Sequence, residues 1–403
     1  MTEGTTTTAD RGAAPPSPDE LLERARGLQP LIDRHADEGE ARGKLADEVD
    51  DALHEQGIFG MWVPRELGGS EVPPTKSLEV LEAIAYADAS AGWVVMAASL
   101  AIGTGAGYLP DQAVQQLFGG ERFPVIAGQG TRAGTAVAHD GGFLVSGSWN
   151  FASGIKHAGW IHTAAMIEGT QEVRIFVLPV EKATLIENWD VMGLRGTGSI
   201  DYTIDQVYVP DEFTHFSTLQ KGLRGGSLYN LGIINFAHIC HAGWALGVGR
   251  RMLDELRDLA QARTGRLAGL IDSDSFLGEF AQAEARFRAA RAFELETWAD
   301  VEQTIQRDEP MTQRQETLVR LALNHVTWAA HDVAIFVYKS AGTTALRRGT
   351  IQRFFRDMHG GTQHLTSSPP ILWNCGRELL GLATDKVWFF EDLIDADKAP
   401  ATR

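Results

Sequence analysis

The stretch GFLVSGSWNFASG, residues 142–154, marks the point at which the chain changes from helical to extended periodicity. Phe143, Val145 and Trp149 alternate with residues that are mostly serine or asparagine, and a period of two is typical of a β-strand. A hairpin-turn signal, Asp-Gly-Gly at residues 140–142, comes directly before it. The stretch therefore predicts a strand that follows a tight turn.

Similar alternation occurs on the C-terminal side of this strand, over residues 161–165, 173–177 and 200–204. No helix-length pattern interrupts these runs, so neighbouring strands are expected to pair in antiparallel fashion. We therefore predict a central β-domain over residues 124–226, folded as an antiparallel barrel or sandwich.

Helical periodicity covers the chain on both sides of the β-domain. On the N-terminal side, residues 17–123, structure begins at a capping box with proline in the first turn, Ser17-Pro18-Asp19-Glu20. Residues 1–16, rich in Thr, Ala and Pro, are predicted to be a disordered leader. On the C-terminal side, residues 227–403, long amphipathic patterns predict a four-helix bundle. They cover residues 238–266, 275–306, 312–342 and 350–381, the last interrupted at Pro369-Pro370. The predicted fold class is α+β, mostly α.

The composition argues against several classes of protein. The 403 residues carry 36 Lys+Arg and 53 Asp+Glu, a net charge of −17, which disfavours nucleic acid or an anionic membrane as a partner. The most apolar segment, residues 93–107, is shorter than the roughly 20 residues that cross a bilayer. Cys240 and Cys375 lie far apart and lack metal-ligand spacing, so we expect free thiols and a cytoplasmic location.

Most familiar catalytic motifs are missing from the sequence. The segment Gly128-x-Gly130-x-x-x-Gly134 has the wrong spacing for a dinucleotide fingerprint and lacks a following helix. Residues 196–199 lack the lysine of a phosphate-binding loop, and there is no Gly-x-Ser-x-Gly nucleophile elbow. The histidine pairs lack clustered cysteine or acidic partners, so no metal site is predicted. These pairs are His238/His241 and His359/His364.

Three segments carry more functional chemistry than packing requires. Residues 149–154 put aromatic, hydroxyl and glycine residues at a strand end, which fits either a planar ligand or an ordinary turn. Residues 189–199 are glycine-rich and include Arg195, which fits either an anion or ring-edge site or a plain inter-strand loop. Charged residues and histidines crowd the last predicted helix, either as a solvated face or around a buried functional histidine. They are Arg353, Arg356, Asp357, His359 and His364.

The order of these segments resembles the acyl-CoA dehydrogenase superfamily over residues 20–385. The resemblance rests on Glu66-Leu67-Gly68-Gly69 early in the chain, residues 149–154 in the middle and Arg356-Asp357 late. The superfamily implies an N-terminal helical domain, a central β-domain and a C-terminal four-helix bundle.

Within the superfamily, residues 90–93, 141–154, 192–199 and 356–364 are similar to the flavin-dependent monooxygenase branch, the oxygenase components of two-component aromatic hydroxylases and their relatives. Dehydrogenases usually carry a catalytic glutamate shortly after the Arg-Asp pair, but no carboxylate stands between His364 and Glu378. Because removal of an α-proton needs such a base, the sequence favours monooxygenation.

The resemblance implies a cofactor and catalytic residues. A reduced flavin, FMNH2 or FADH2, would react with O2 to form a C4a-hydroperoxide, which needs a dry pocket. Ser153 would lie beside the flavin N5 and His364 near the peroxide, as the two catalytic residues. The other implied cofactor-binding residues are Thr131 and Thr135 at the flavin edge, Phe151 and Ala152 against the ring, and Arg263 at the phosphate.

The implied substrate-binding residues are Trp93, Ala101, His359 and His364. Phenol hydroxylases of this branch tend to have a histidine about two helical turns after this tryptophan, where the present sequence has Ala101. The small, apolar surroundings favour a different or bulkier substrate, aromatic or polycyclic.

The predicted function is hydroxylation of a small organic substrate by an oxygenase component that receives reduced flavin from a separate reductase. Oxygen transfer would equally serve an amine nitrogen, so N-hydroxylation of an amine or amino sugar is an alternative. Acyl-CoA dehydrogenase-like oxidation by bound FAD is a second. The resemblance, and apolar residues on several sides of the bundle such as Ile335, Phe336 and Val337, predict a homotetramer.

Overall fold

The computed structural model describes residues 14–263 and 267–399. Most of the predicted leader therefore lies outside the described residues. The helices are α1 Pro18–Arg42, α2 Asp47–Glu55, α3 Pro74–Ala87, α4 Ala89–Tyr108, α5 Asp111–Phe118, α6 Gly232–Gln261, α7 Leu267–Leu270, α8 Asp274–Gln306, α9 Gln313–Ala341, α10 Thr343–Leu346, α11 Thr350–Gly361 and α12 Pro369–Leu379. The strands are β1 Ile126–His139, β2 Gly142–Trp149, β3 Trp160–Ile167, β4 Val173–Pro179, β5 Thr184–Ile186, β6 Asp201–Pro210, β7 Thr214–Phe216, β8 Lys386–Phe389 and β9 Asp392–Asp395. Helices thus precede and follow a central sheet, which confirms the predicted fold class.

Helix α1 begins at the predicted capping box. The Ser17 hydroxyl accepts a hydrogen bond from the Glu20 N–H at 3.3 Å, and the Glu20 carboxylate accepts one from the Ser17 N–H at 2.7 Å. These bonds satisfy donors that a helix N-terminus otherwise leaves unpaired. The helix ends at Gly43, whose φ of 63° is a left-handed conformation that glycine adopts without strain.

The central sheet has seven strands in the order β5-β6-β2-β1-β3-β4-β7. All neighbouring pairs are antiparallel except β1 and β3, which run parallel. The prediction of an antiparallel sheet is therefore corrected to a mixed sheet. Strand β2 pairs with one edge of β1, and the second edge of β2 is occupied by β6. Strand β3 therefore pairs with the other edge of β1, which the chain reaches through a crossover.

Strand β1 was not among the predicted strands, because its glycines hide the alternation. The structure explains one of them: a Cβ on Gly134 would lie 2.6 Å from the Ser146 carbonyl oxygen and against the Trp149 ring. The pairing of β1 with β3 also shifts register between Gln129 and Gly134. A bulge of this kind interrupts the period of two on which sequence prediction depends.

The C-terminal half contains the predicted long helices, the predicted interruption of the fourth one at Pro369, and a hairpin that the sequence pattern does not show. The fourth predicted helix, residues 350–381, consists of α11 and α12, separated by residues 362–368. A two-stranded hairpin, β8 and β9, follows α12. Both features belong to the site described below.

Two helical segments, Ala89–Tyr108 and Ser227–Gln261, have the length and apolar composition of a membrane span, and 83% of each apolar window is buried inside the protein. Helices that are apolar on all sides are also found in the cores of large proteins. The two segments are therefore accounted for by packing within this chain.

Helix α6 approaches α3 closely because two glycines one turn apart face that helix. A Cβ on Gly243 would lie 2.6 Å from the Leu81 Cβ, and a Cβ on Gly247 would lie 2.6 Å from the Tyr86 backbone nitrogen. The neighbouring backbone cannot move without shifting all of α3. The two helices hold the N-terminal and C-terminal helical regions together.

We expect Gly247→Ala to lower the free energy of unfolding by about 1–3 kcal/mol, the usual cost of overpacking a core. The matched control is Gly278→Ala in α8, where nothing lies within 4 Å of the added methyl group. Because alanine is the better helix former, the control should gain about 0.5–1 kcal/mol. Thermal or urea unfolding measures both, and equal stability of the two variants would contradict the close packing of α3 on α6.

Candidate active site

The two segments singled out in the β-domain meet at the end of β2. The Ala152 N–H donates to the Ile200 carbonyl at 3.1 Å, and the Gly154 N–H donates to the Thr197 carbonyl at 3.0 Å. The strand end at residues 149–154 and the glycine-rich residues 189–199 therefore form one site. A chain of hydroxyl groups lies across this junction.

The direction of that hydroxyl chain follows from counting hydrogens. The Thr197 hydroxyl donates to the Leu194 carbonyl at 2.7 Å, so its 2.7 Å bond with Ser199 must be donated by Ser199. The 2.7 Å bond between Ser199 and Ser153 must then be donated by Ser153. The Trp93 indole N–H donates to the Ser153 oxygen at 3.0 Å. Ser153 thus has its hydrogen engaged and a lone pair left for a further donor.

His364 lies on the other side of Trp93, in an aromatic cluster. Its ring stacks on the His241 ring with centroids 3.8 Å apart, and the Trp93 ring lies 6.1 Å from it. Burial lowers the pKa of His364 to about 4 and the pKa of His241 well below its usual value. Both rings are therefore neutral near pH 7.

The tautomer of His364 is fixed by its own chain. The Thr366 N–H and hydroxyl lie 3.4 Å and 2.9 Å from His364 Nδ1, and the N–H can only donate. Nδ1 is therefore the acceptor, and the neutral ring carries its hydrogen on Nε2. Residues 362–368, the break between α11 and α12, place this ring in the cluster.

A carboxylate reaches the same cluster from the C-terminal hairpin. Glu391, in the turn between β8 and β9, lies 2.9 Å from His238 Nε2 and 3.5 Å from Arg320 Nε. Burial alone would raise the pKa of Glu391, but His238 and Arg320 lower it. No sequence motif points to Glu391, because the contact joins residues 153 positions apart.

Arg356 and Asp357 hold the glycine-rich loop in place. The Leu194 N–H donates to Asp357 Oδ1 at 2.6 Å, and Arg356 donates to the Met192 carbonyl at 2.8 Å. Between them, a Cβ on Gly193 would lie 2.8 Å from the Asp357 nitrogen, so the loop packs directly on the backbone of α11. Burial and the nearby Asp88 raise the pKa of Asp357 to about 7. The charged face is therefore partly buried and serves to position the loop.

The structure brings together Trp93, Ser153 and His364 among the predicted site residues. Phe151 adjoins them, with its ring 59% exposed and its φ of 62° in the left-handed region, while Ala152 is fully buried. The exposed Phe151 ring lies 6.1 Å from Trp189 and offers an apolar surface at the edge of the site.

Other predicted residues lie elsewhere. Thr131 and Thr135 are exposed on β1, and Arg263 is exposed with its guanidinium 3.7 Å from Asp272. His359 contacts His331, with the two Nε2 atoms 3.3 Å apart, and its Nδ1 lies 2.7 Å from the Phe355 carbonyl. No contact that the structure describes joins these four residues to Ser153 or His364, so their assigned roles stay predictions.

Less buried residues form a stripe on α4 and another on α6, and both extend away from Trp93; the strip of surface that they share is called the groove below. Within α4 every residue is buried except Trp93, Ala97 and Leu100, which lie on one face at helical spacing. Residues 232–249 of α6 show the same pattern, and their less buried positions are Ile234, Ala237 and His241. Trp93 and His241 meet at one end of the groove, with ring centroids 5.1 Å apart.

At the other end of the groove, Leu100 and Ile234 both pack against the small cluster of Ala164, Ile175 and Ile233. Seven helical residues separate Trp93 from Leu100, which makes the groove about 10 Å long. Ala101, predicted to contact the substrate, is instead 3% exposed and adjoins this stripe without belonging to it.

Comparison with known proteins identifies the family. Residues 22–108 match the model of the acyl-CoA dehydrogenase N-terminal domain, and residues 239–369 match that of the C-terminal domain. The chain is 29% identical to an indole-3-acetate monooxygenase from Pseudomonas putida over 350 residues, 84% of this chain and 87% of that protein. It is 28% identical to the flavin-dependent monooxygenase oxygenase subunit HsaA from Rhodococcus jostii over 376 residues, 86% and 94% of the two chains.

The fold is that of a solved structure, XiaF from a Streptomyces species in complex with FADH2 and glycerol. The TM-score is 0.82 at 20% identity, and the match covers 91% of this chain and 96% of the other. Together with the two family models and the sequence relatives, this shows that the chain is an oxidoreductase of the acyl-CoA dehydrogenase superfamily and belongs to its flavin-dependent monooxygenase branch.

Proposed function

We propose that the protein is the oxygenase component of a two-component system, which takes reduced flavin from a separate reductase and uses O2 to hydroxylate a small aromatic or polycyclic substrate. The observation that carries this proposal is the direction of the hydroxyl chain that ends at Ser153. Supporting it, the relative from Rhodococcus jostii is named an oxygenase subunit, a name that implies a separate reductase.

The residues at the end of β2 fit a flavin ring in its reduced state. Reduced flavin carries a hydrogen on N5 and oxidised flavin does not, so only the reduced form can donate to the free lone pair of Ser153. The exposed Phe151 ring supplies an apolar face for a planar ring system. When bound, the reduced flavin would supply the electrons that activate O2. The donor set does not distinguish FMNH2 from FADH2.

His364 would act as a hydrogen-bond donor toward an oxygen atom held beside the flavin. Its neutral ring keeps the hydrogen on Nε2, and the Trp93 and His241 rings lie beside it. A hydrogen bond in such dry surroundings is stronger than in water. The residue would thereby favour transfer of the oxygen atom over its release as H2O2.

The carboxylate near the site, Glu391, argues against both alternatives, N-hydroxylation and acyl-CoA oxidation. An amine substrate would need a free acid to pair with, but Glu391 is already held by His238 and Arg320. A dehydrogenase would need a strong base, and a carboxylate whose pKa is lowered is a weak one. We therefore favour hydroxylation at carbon over N-hydroxylation and over acyl-CoA oxidation.

Assembly into a homotetramer is supported by apolar surface on the C-terminal helices. Trp373 is 69% exposed and Leu380 75% exposed, and Leu372 and Leu382 extend the same patch. Val337 is buried within its own chain, whereas Ile335 and Phe336 are half-buried. Large exposed apolar patches are typical of subunit interfaces. The buried free thiols of Cys240 and Cys375 fit the proposed cytoplasmic location.

Ser199→Ala tests the direction of the hydroxyl chain. Without Ser199 the Ser153 hydrogen is free to donate to N5 of oxidised flavin, so the preference for reduced flavin should fall about fivefold, as expected for one hydrogen bond of about 1 kcal/mol. Anaerobic titrations of oxidised and reduced FMN and FAD give the ratio of dissociation constants. The exposed Ser148→Ala should leave that ratio unchanged, and an unchanged ratio in Ser199→Ala would refute the proposed arrangement.

His364→Ala should retain flavin binding while the yield of hydroxylated product falls and H2O2 release rises. Because the pKa of His364 is about 4, the difference between wild type and variant should stay constant between about pH 6 and pH 8. Product and H2O2 are measured per NADH consumed with a flavin reductase present. The exposed His139→Ala serves as a control. Equal coupling in His364→Ala and wild type would exclude the donor role.

Light scattering at micromolar concentration should give the mass of four chains. The double substitution Trp373→Asp and Leu380→Asp should reduce that mass, because charged groups in a buried interface are strongly unfavourable. Leu223→Asp, at a similarly exposed leucine in the loop after β7, is the matched control. A wild-type monomer would overturn the proposed assembly.

A further inference from the structure

Two buried histidines lie beside the far end of the groove and take no part in the site at Ser153. In the sheet, Ile175 pairs with both Ala164 and His215, so these three side chains share one face. His162 lies two residues before Ala164 on β3 and therefore points to the same side. This is the face on which Leu100 and Ile234 close the groove.

Each of these histidines has a ring nitrogen without a partner among the described residues. His215 Nδ1 lies 3.0 Å from the Phe216 carbonyl, which can only accept, so the hydrogen of a neutral ring is on Nδ1. His215 Nε2 is then a bare acceptor, and it is buried and unpaired. His162 Nδ1 is also buried and unpaired. Buried polar atoms in native proteins nearly always have partners, so each of these nitrogens calls for one.

The rings are also neutral. Burial lowers the pKa of His162 to about 3 and the pKa of His215 to about 4. A neutral acceptor pairs with a neutral donor such as a hydroxyl or an N–H group. A neutral acceptor forms no hydrogen bond with a carboxylate, because the carboxylate has no hydrogen to donate. The carboxylate would also lose its hydration on entering the site.

Space beside His162 is kept open by a glycine. A Cβ on Gly130 would lie 3.3 Å from His162 Nε2, so a larger residue there would crowd the ring on its Nε2 side. The His215 ring lies 6.5 Å from the His162 ring, centroid to centroid.

We propose that this end of the groove recognises a neutral hydrogen-bond donor on the substrate, so that the substrate is an aromatic or polycyclic molecule with a hydroxyl or N–H group remote from the carbon that is oxidised. This inference rests on the proposed function for the orientation of the substrate. His215 is the specificity-determining acceptor, and His162 is the buried polar group beside it. Ala97 and Ala237 leave room between them for flat rings.

Equilibrium binding of three two-ring probes tests the proposal with the full-length protein. The probes are biphenyl, 4-hydroxybiphenyl and biphenyl-4-carboxylate. Their binding is measured by quenching of tryptophan fluorescence, since Trp93 lies in the groove. Wild type should bind 4-hydroxybiphenyl about five- to tenfold more tightly than biphenyl, and the carboxylate more weakly than either. His215→Leu should abolish the hydroxyl preference and leave biphenyl binding unchanged. The exposed His139→Leu should behave like wild type.

Equal affinity of wild type for biphenyl and 4-hydroxybiphenyl would overturn the proposal and would indicate that the nitrogens are satisfied by a fixed water. Persistence of the preference in both His215→Leu and His162→Leu would overturn it as well. The wild-type series decides the matter even if a variant fails to fold. Binding of the probes needs neither flavin nor O2. A preference for 4-hydroxybiphenyl in a protein that shows no coupled oxygenation would therefore refute the proposed function and leave this inference standing.

Discussion

The backbone of Leu194 is the point on which the site depends. Its N–H is held by the Asp357 carboxylate of α11, and its carbonyl accepts the Thr197 hydroxyl that starts the chain to Ser153. Its φ of 56° is a left-handed conformation that a leucine adopts only when its surroundings require it. One strained residue thus links the C-terminal helices to the Ser153 hydroxyl, which would face the flavin. It also fixes the direction in which each hydroxyl of the chain donates.

Neutral histidines give the interior its chemical character. His364 presents a donor at the flavin end of the groove, and His215 presents an acceptor at the other end. Both states follow from burial, which removes the charged form, and from one backbone partner each, which selects the tautomer. The net charge of −17 plays no part in this interior. Glu391 is the acid that reaches the histidine cluster, and it is paired there with Arg320 and His238.

Parts of the fold could be predicted from local patterns and parts could not. The capping box at Ser17 lies within four residues of sequence and forms as predicted, and Thr312 and Gln315 form a second one. Strand β1 was missed because its close approaches to Trp149 and β3 demand glycine, which removes the alternating pattern. The hairpin carrying Glu391 was missed for another reason, since its strands have only four residues each and owe their position to contacts with α6 and α9.

By itself the sequence determined the fold class and the superfamily, because these depend on periodicity and on the order of short motifs. The family resemblance then implied roles for Trp93, Ser153 and His364. Only the tertiary structure decided what those residues can do. The direction of the hydroxyl chain, the tautomer of His364, the carboxylate at Glu391 and the unpaired nitrogen of His215 all depend on partners distant in the chain or on burial. Hydrogen-bond direction and protonation are set by three-dimensional surroundings, which no local pattern encodes.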